Sequence, residues 1–321
     1  MTEHPPKSES YNTHSTAVAF PGLPIIFAEG FGENRVSLHG HISLALSTAD
    51  GCMRSVTAVG QASRNSFLVD GLRIDRKRGK GMLAMRDAMV NLAGSKIKLA
   101  ISSVNSGILT GSSDSGAAAL AVALNGFLAL GLSIDSLHEL ARYGSETAYR
   151  SLYGGLSEYY FEKGVPRARV LLPAGKLKDI AIYAVPFDYP RHSADELHSA
   201  VVRHPGYRRR IAVAEKRIKD FKKASSKRDF NACLRLMEDD ARQVHGLFED
   251  MGCRVRKEGM LALCKKVESW RSAGLRCYWN VAGGSVVYVF SLSKDAKEVR
   301  KNLKGYKIVE CRPAGPAAVL S

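Results

Sequence analysis

A run of small residues, Asn105–Gly116, reads NSGILTGSSDSG and lies between an apolar strand-like segment and a strongly apolar helix-like segment. Glycines and serines let the backbone turn tightly, so that successive N–H groups can point inward at an anion. The helix that follows adds its unpaired N-terminal donors and its dipole. The run therefore predicts a phosphate-binding loop, although it lacks the lysine of a P-loop. The alternative is a serine or aspartate cap on a buried helix.

The serine hydroxyls of this loop would add hydrogen-bond donors to the backbone N–H groups, or a ligand for Mg²⁺. Asp114 has two open interpretations, a cap of the helix or a group that reaches the metal. The residues expected to hold phosphate are Gly111, Ser112, Ser113, Ser115 and Gly116.

A second segment, Gly144–Gly155, reads GSETAYRSLYGG and sets one carboxylate and one guanidinium among small and aromatic residues. Glu146 and Arg150 are four residues apart, which would place them on one face of a helix. A guanidinium in this setting can bind a carboxylate through two hydrogen bonds. The alternative is a surface ion pair, which stabilises a protein by only a few tenths of a kcal/mol. The residues alone leave both interpretations open.

Hydrophobic periodicity predicts the elements that position these segments. A third glycine-rich segment, Trp279–Val289, is predicted to be a turn that opens a strand. Because strands and helices mix without strict alternation, the predicted fold class is α+β. The predicted strands are 23–28, 36–47, 55–59, 97–103, 156–160, 168–172, 180–185, 284–292 and 306–311. The predicted helices are 81–93, 117–130, 136–147, most of 194–245, and 294–303.

The chain of 321 residues is long enough for two domains. Residues 1–15 are expected to be a disordered tail because they are polar and rich in serine and proline. Pro173-Ala-Gly175 is the predicted boundary between an N-terminal domain, 16–174, and a C-terminal domain, 175–321. The phosphate-binding loop falls in the first of these domains.

The composition of the chain indicates which kinds of partner and which compartment it suits. With 47 Lys+Arg against 31 Asp+Glu, the formal net charge of +16 favours nucleic acid, an anionic surface or phosphorylated small molecules. The six cysteines have no zinc-ligand spacing, which is typical of free thiols in the cytoplasm. The first 17 residues are polar and predict no secretory signal. The most apolar stretch, 117–132, is shorter than the ~20 residues of a membrane span, so a buried helix is expected there.

The three segments, in this order, resemble the GHMP superfamily of small-molecule kinases, and within it the diphosphomevalonate decarboxylase branch. That branch has a Ser-Ser-Ala-Ser-Gly loop, matched here by Ser112–Gly116, and an Arg-Ser-Leu-Tyr-Gly-Gly run, matched by Arg150–Gly155. The archaeal mevalonate 3-kinase subgroup is more similar still, through Gly107–Asp114, Glu146 with Arg150, and the FDYPR run at 187–191. The resemblance extends from about residue 18 to the C-terminus.

The resemblance implies a two-domain architecture, with an N-terminal domain like ribosomal protein S5 and a ferredoxin-like C-terminal domain. It also implies that ATP and Mg²⁺ bind in the cleft between the two domains, where the predicted phosphate-binding loop would contact the phosphates of ATP. Arg150, with the adjacent Ser151, would bind the substrate carboxylate, and Glu146 would bind the hydroxyl end of mevalonate. Arg191 matches the cation proposed to stabilise the transferring phosphoryl group, and is the expected catalytic residue. Whether the protein forms a homodimer is left open at this point.

Two positions separate a kinase from a decarboxylase. Decarboxylases that resemble this chain place an aspartate beside the carbon that becomes positive when the 3-phosphate leaves, and they pair it with an early lysine. The aspartate position holds Val281, and Phe27 occupies the matched lysine position. No lysine occurs between Lys7 and Lys77, so this absence does not depend on the alignment. Phosphoryl transfer requires positioning and charge neutralisation more than a strong base. The resemblance therefore implies an ATP-dependent kinase acting on the 3-hydroxyl of mevalonate, in isoprenoid biosynthesis.

Two other functions remain as alternatives. One is a decarboxylase of diphosphomevalonate, phosphomevalonate or mevalonate 3,5-bisphosphate that uses another acidic residue. The other is a nucleic-acid-binding protein that uses the basic segment 203–228, which holds 11 Lys/Arg against two acids. A solvated helix face is the favoured interpretation of that segment. His39 and His41 are expected to be polar surface positions of a strand.

Overall fold

The computed structural model describes residues 12–32, 36–74, 79–190 and 194–320. Its strands are β1 (His14–Ala19), β2 (Gly22–Ile26), β3 (His41–Thr48), β4 (Arg54–Gln61), β5 (Ser66–Val69), β6 (Leu72–Arg73), β7 (Leu99–Ser106), β8 (Leu156–Glu162), β9 (Val165–Leu172), β10 (Ile180–Pro186), β11 (Cys277–Val281), β12 (Val286–Leu292), β13 (Val309–Pro313) and β14 (Ala318–Val319).

The α-helices are α1 (Lys80–Leu92), α2 (Ser112–Phe127), α3 (Ile134–Ala141), α4 (Tyr149–Tyr153), α5 (Ala194–Val201), α6 (Tyr207–Ser226), α7 (Phe230–Asp250), α8 (Glu258–Ser272) and α9 (Ala296–Asn302). Short 3₁₀ turns cover Ala174–Lys176 and Ser293–Asp295. The mixture of helices and sheets confirms the predicted α+β class. β1 begins at His14, two residues before the predicted start of the N-terminal domain.

Two sheets organise these elements. The first has six strands in the order β14-β1-β4-β7-β5-β6, with β5 parallel to β7 and the other pairs antiparallel. The second runs β11-β12-β10-β13-β3-β8-β9, with β2 paired to β3. β13 lies between β10 and β3, so the last part of the chain joins strands from both halves of the sequence into one sheet. The predicted boundary at 173–175 falls in the short turn between β9 and β10.

α2 packs on the six-stranded sheet, as expected for the most apolar segment of the chain. Its alanines and leucines are almost completely buried against β1 and β4. Small side chains let a helix approach a sheet closely, which fixes the position of the N-terminus of the helix. No helix in the described part of the chain is long and apolar enough to cross a membrane.

The Gly-Gly turn of the second segment fits tightly against the end of the chain. Gly154 has a φ of 64°, and a Cβ there would lie 2.2 Å from the carbonyl carbon of Gly315. The amide of Gly155 donates to the carbonyl oxygen of Ala314. Glycine is required because both the backbone angle and the close approach exclude a side chain. The run 313–316, which resembles the decarboxylase turn only superficially, therefore packs against α4.

Several sequence expectations differ from the structure. The predicted strand over 36–47 begins only at His41. α2 begins at Ser112, inside the segment predicted to be a loop. The predicted helix over 136–147 ends at Ala141, and a turn separates it from α4. His39 and His41 are 2% and 0% exposed, so the expectation of surface positions is wrong. Alternation along a strand did not identify the buried face, because both faces of β3 are covered by other parts of the chain.

Candidate active site

The serine-rich segment forms a tight loop that leads into α2. Gly111 is the N-cap residue and has a left-handed backbone with a φ of 59°. A Cβ on Gly111 would lie 2.7 Å from the carbonyl oxygen of Gly22, so the loop rests directly on β2. Ser112 and Ser113 are exposed in the first helical turn, where N–H groups lack partners within the helix. This part of the loop can receive an anion.

The other loop residues are less accessible. Ser115 is fully buried, and its hydroxyl lies 2.7 Å from the hydroxyl of Ser55. Gly116 lies within α2, facing Met82. The expected phosphate contact of Ser115 stays a prediction, and in this structure its hydroxyl bonds within the protein.

Asp114 connects the loop to the second segment. No side chain caps α2, so the interpretation of Asp114 as a cap is wrong. Its carboxylate instead accepts hydrogen bonds from Ser145 and Thr147, at 2.7 and 2.6 Å, and pairs with Arg150 at 3.3 Å. Asp114 is 2% exposed, so this cluster is buried. Its role toward Mg²⁺ stays a prediction.

Arg150 is 9% exposed and lies across β2. A Cβ on Gly22 would come within 2.5 Å of the Arg150 side chain, so the glycine makes room for the guanidinium. One guanidinium nitrogen binds Asp114, whereas Nε is buried and has no hydrogen-bond partner among the described residues. A buried donor without a partner is costly, and a carboxylate ligand would satisfy it.

Glu146 and Ser151 flank this arginine. Glu146 is partly buried in the turn before α4, so it does not share a helix face with Arg150 as the spacing suggested. Ser151 is fully buried, and its hydroxyl donates to the carbonyl oxygen of Phe20 at 2.5 Å. Their roles in substrate binding stay predictions.

The two positions that distinguish kinase from decarboxylase are apolar and buried, with Phe27 at 6% and Val281 at 0% exposure. His245 of α7 contacts both. Its Nε2 lies 2.6 Å from the carbonyl oxygen of Val281, and its ring meets that of Phe27 edge-on at 5.9 Å between centroids. Burial lowers the pKa of His245 to about 3, so the ring is neutral at physiological pH. A carbonyl only accepts, so Nε2 carries the proton.

A buried ionic cluster lies behind Phe27 and was missed by sequence reasoning. Arg210 of α6 is 0% exposed and binds Asp240 at 2.7 Å and Glu29 at 3.1 Å. Arg217 also binds Asp240, at 3.0 Å, and the Phe27 amide donates to it at 2.9 Å. Two guanidinium groups therefore compensate the charge of Asp240.

Within the same cluster, burial raises the pKa of Glu29 to about 7. The interpretation of 203–228 as a solvated face is wrong for Arg210, although Arg208 and Arg209 are exposed. The many arginines of the segment made Arg210 look like a surface residue. Its helical spacing from Tyr207 and Ala214, which are also buried, is the sequence signal that could have identified the inward face of the helix.

The late glycine-rich turn lies beside the 187–191 run. The amide of Phe187 donates to the carbonyl oxygen of Ser285 at 2.7 Å, and a Cβ on Gly283 would touch Leu197 of α5. Arg191 lies outside the described residues, so its catalytic role stays a prediction.

The described residues contain a cavity of about 200 Å³ between β5, β6 and α1. It is lined by Asn65, Ser66, Phe67, Arg73, Ile74, Leu83 and Arg86. No group of three His, Cys, Asp or Glu side chains in the described part of the chain could hold a metal ion on its own.

Comparison with known proteins agrees with this geometry. Residues 30–166 match the diphosphomevalonate decarboxylase-like N-terminal domain, and residues 192–297 match the mevalonate-3-kinase C-terminal domain. The mevalonate-3-kinase of Picrophilus torridus is 28% identical over 307 residues, which cover 92% of this chain and 93% of that protein.

Solved structures show the same fold. A structure of the Thermoplasma acidophilum mevalonate-3-kinase, with mevalonate 3-phosphate and ADP bound, has a TM-score of 0.90 at 26% identity and covers 98% of this chain and 99% of that one. A mevalonate diphosphate decarboxylase from Enterococcus faecalis has a TM-score of 0.85 at 21% identity, covering 96% and 99% of the two chains, which shows likeness of fold.

The two sheets, the serine loop and the arginine beside it define a two-domain GHMP kinase fold. Within that class, the chain belongs to the branch that contains the mevalonate 3-kinases and the diphosphomevalonate decarboxylases. The predicted family and architecture are confirmed.

Proposed function

We propose that this protein is an ATP-dependent kinase that phosphorylates the 3-hydroxyl of mevalonate, or of a close 3-hydroxy acid, and releases the phosphorylated product. The observation that carries the proposal is the pair of buried apolar side chains, Phe27 and Val281, where a decarboxylase would need a lysine and an aspartate. The family likeness to mevalonate-3-kinases over both domains supports it.

The proposed roles follow from position and charge. The first turn of α2, with Ser112 and Ser113, would bind the ATP phosphates through N–H groups and hydroxyls. The Nε of Arg150 would bind the substrate carboxylate. Glu146 would accept a hydrogen bond from the hydroxyl at the fifth carbon, and Arg191 would stabilise the transferring phosphoryl group.

Mg²⁺, when bound with ATP, would neutralise the charge on the phosphates. Exposed loop hydroxyls and phosphate oxygens are ligands that this ion accepts, so the loop fits the group. The protein would then have to hold the two substrates in line and exclude water, which positioning residues can do without a strong base.

The reaction would stop after phosphoryl transfer for an electrostatic reason. Loss of the 3-phosphate develops positive charge on carbon, which a nearby carboxylate would stabilise. Asp240 accepts a hydrogen bond from the backbone amide of Phe27, so it is an acid close to this position. Its negative charge is compensated by Arg210 and Arg217. The proposal also places the reaction in the cytoplasm and in isoprenoid biosynthesis; six unpaired cysteines support a reducing compartment.

The test is ATP-dependent turnover of mevalonate, mevalonate 5-phosphate and mevalonate diphosphate, measured side by side. We expect kcat/KM for mevalonate to exceed the other two values at least tenfold, because the carboxylate of Glu146 would repel a phosphorylated fifth carbon. A preference for either phosphorylated form would contradict the proposal.

We also propose a homodimer, formed through the outward face of the six-stranded sheet. One row of cross-strand partners on this face is Thr16, Ala58, Ser102 and Leu68, and the next contains Val18, Val56 and Val104. Over β1, β4, β7 and β5 these rows carry no charge, whereas Arg73 of β6 pairs with Leu68 at the edge of the sheet. Val104 is 49% exposed. In a chain of net charge +16, this uncharged centre of the sheet face is where two copies can meet with least repulsion.

Light scattering tests the dimer. The wild type should have twice the mass of the chain, and Ser102→Arg should have the mass of one chain. Ser226→Arg, on the exposed end of α6, is the matched control and should remain dimeric. A monomeric wild type would contradict the proposal.

A further inference from the structure

The inward face of α7 makes two polar contacts with the two positions that would distinguish a kinase from a decarboxylase, Phe27 and Val281. Asp240 accepts a hydrogen bond from the backbone amide of Phe27, and His245 donates one to the backbone carbonyl of Val281. Both α7 side chains are 0% exposed. Both contacts are made to backbone atoms at the ends of two strands. They therefore fix the positions of these strand ends, whichever side chains the strands carry.

These strand ends are distant in the sheet. β2 pairs with β3, whereas β11 is the edge strand that pairs with β12, with β13 and β10 between β3 and β12. No sheet hydrogen bond therefore sets the separation of Phe27 and Val281. One side-chain link, from Nδ2 of Asn280 to the carbonyl oxygen of Pro24 at 2.7 Å, joins β11 to β2 directly. The contacts from α7 lie at the ends of the two strands, at Phe27 and Val281 themselves.

The side chains of Asp240 and His245 are each held in place by further contacts. Asp240 is held by Arg210 and Arg217 in addition to the Phe27 amide. His245 is enclosed by the rings of Phe27 and Phe248 and makes a short bond of 2.6 Å to Val281. A side chain without freedom to move transmits the position of its helix to the atoms that it binds.

We propose that Asp240 and His245 are positioning residues, which fix the separation of Phe27 and Val281 and so the width of the pocket around the third carbon of the acid. This inference rests on the proposed function. His245 is the residue to test, because removal of Asp240 would take a partner from the buried Arg210 and the partly buried Arg217.

The experiment compares His245→Leu, which removes the donor, with His245→Gln, whose amide can restore it. Val244→Ala is the matched control, because Val244 is a completely buried neighbour on α7 with no polar side-chain atom. Circular dichroism establishes that each variant is folded, and KM for mevalonate and for ATP is then measured for each.

We expect His245→Leu to raise KM for mevalonate about tenfold with KM for ATP changed less than twofold, since small misplacements of a pocket wall reduce substrate complementarity. His245→Gln should recover most of the loss, and Val244→Ala should leave both KM values near those of the wild type. A folded His245→Leu with unchanged KM for mevalonate, or with the KM values for mevalonate and ATP raised by the same factor, would overturn the inference.

The outcome is separable from that of the proposed function. If the wild type prefers a phosphorylated mevalonate, the proposed function fails, and the same KM comparison is made with that substrate. The role of His245 is then supported or overturned by the same criteria.

Discussion

Asp114 and Arg150 form a buried ion pair, with 3.3 Å between Oδ2 and a terminal guanidinium nitrogen. The pair joins the predicted phosphate-binding loop to the segment expected to bind substrate. Asp114 also receives hydrogen bonds from Ser145 and Thr147. The loop and Arg150 are therefore structurally coupled, so a substitution in the loop should change the position of the arginine.

The first prediction is that Asp114→Asn weakens both stability and substrate binding. The amide keeps an acceptor for the hydroxyls but loses the charge opposite Arg150, so the free energy of unfolding should fall by about 1–3 kcal/mol. KM for mevalonate should rise because Arg150 loses its anchor. Urea denaturation and steady-state kinetics measure these effects, with the exposed Asp239→Asn as control. If the main effect is instead on the Mg²⁺ dependence, Asp114 acts on the metal.

The second prediction concerns the space beside Arg150. Gly22→Ala would place a methyl group 2.5 Å from two carbons of the Arg150 side chain, which would have to move. We expect kcat/KM for mevalonate to fall at least tenfold, by analogy with other small displacements of positioning groups. Gly175→Ala is the control, because no atom lies within 4 Å of the Cβ it would add. Equal activity of the two variants would refute the role of Gly22.

Some of this architecture was predictable and some was not. The apolar run that becomes α2 and the small residues before it predicted a buried helix with an anion-binding N-terminus. Sequence patterns did not predict that Ser115 is buried or that Asp114 binds Arg150, since both depend on contacts between segments that lie over 30 residues apart.

Arg210 and the buried histidines illustrate the same limit. Composition predicts that arginine and histidine lie at the surface, and only the packing of α6 and α7 on β2 supplies the partners that allow Arg210 to be buried.

The third prediction is a change of substrate preference. Glu146→Ser replaces a carboxylate by a small neutral group. Repulsion of a phosphorylated substrate should fall, so the ratio of kcat/KM for mevalonate 5-phosphate to that for mevalonate should rise at least tenfold. Glu139→Ser, exposed on α3, is the control and should leave the ratio unchanged. An unchanged ratio in Glu146→Ser would contradict its assigned role.

The fourth prediction is acid instability. Burial lowers the pKa of His39 and His138 to about 4, that of His245 to about 3, and that of His41 well below its usual value. Each unfolded histidine binds a proton near pH 6.5 that the folded protein excludes, so stability falls as the pH drops below 6.5.

Glu29 opposes this trend, because burial raises its pKa to about 7 and the folded protein binds its proton first. Four histidines against one glutamate leave a net uptake of protons on unfolding, so the free energy of unfolding should fall as the pH drops from about 6 to 4.5. Urea denaturation at pH 7.5, 6.0 and 5.0 measures this fall. A stability that is constant or rises on acidification would disprove the burial of neutral histidines.

The most direct test of the central claim, that the reaction ends at phosphoryl transfer, is product analysis with ATP, Mg²⁺ and mevalonate labelled in its carboxyl carbon. We predict one ADP formed for each mevalonate consumed, with the label retained in a stable mevalonate 3-phosphate. Val281 is apolar and completely buried, and Arg210 compensates the charge of Asp240. Release of labelled CO₂ in step with ADP would contradict the account.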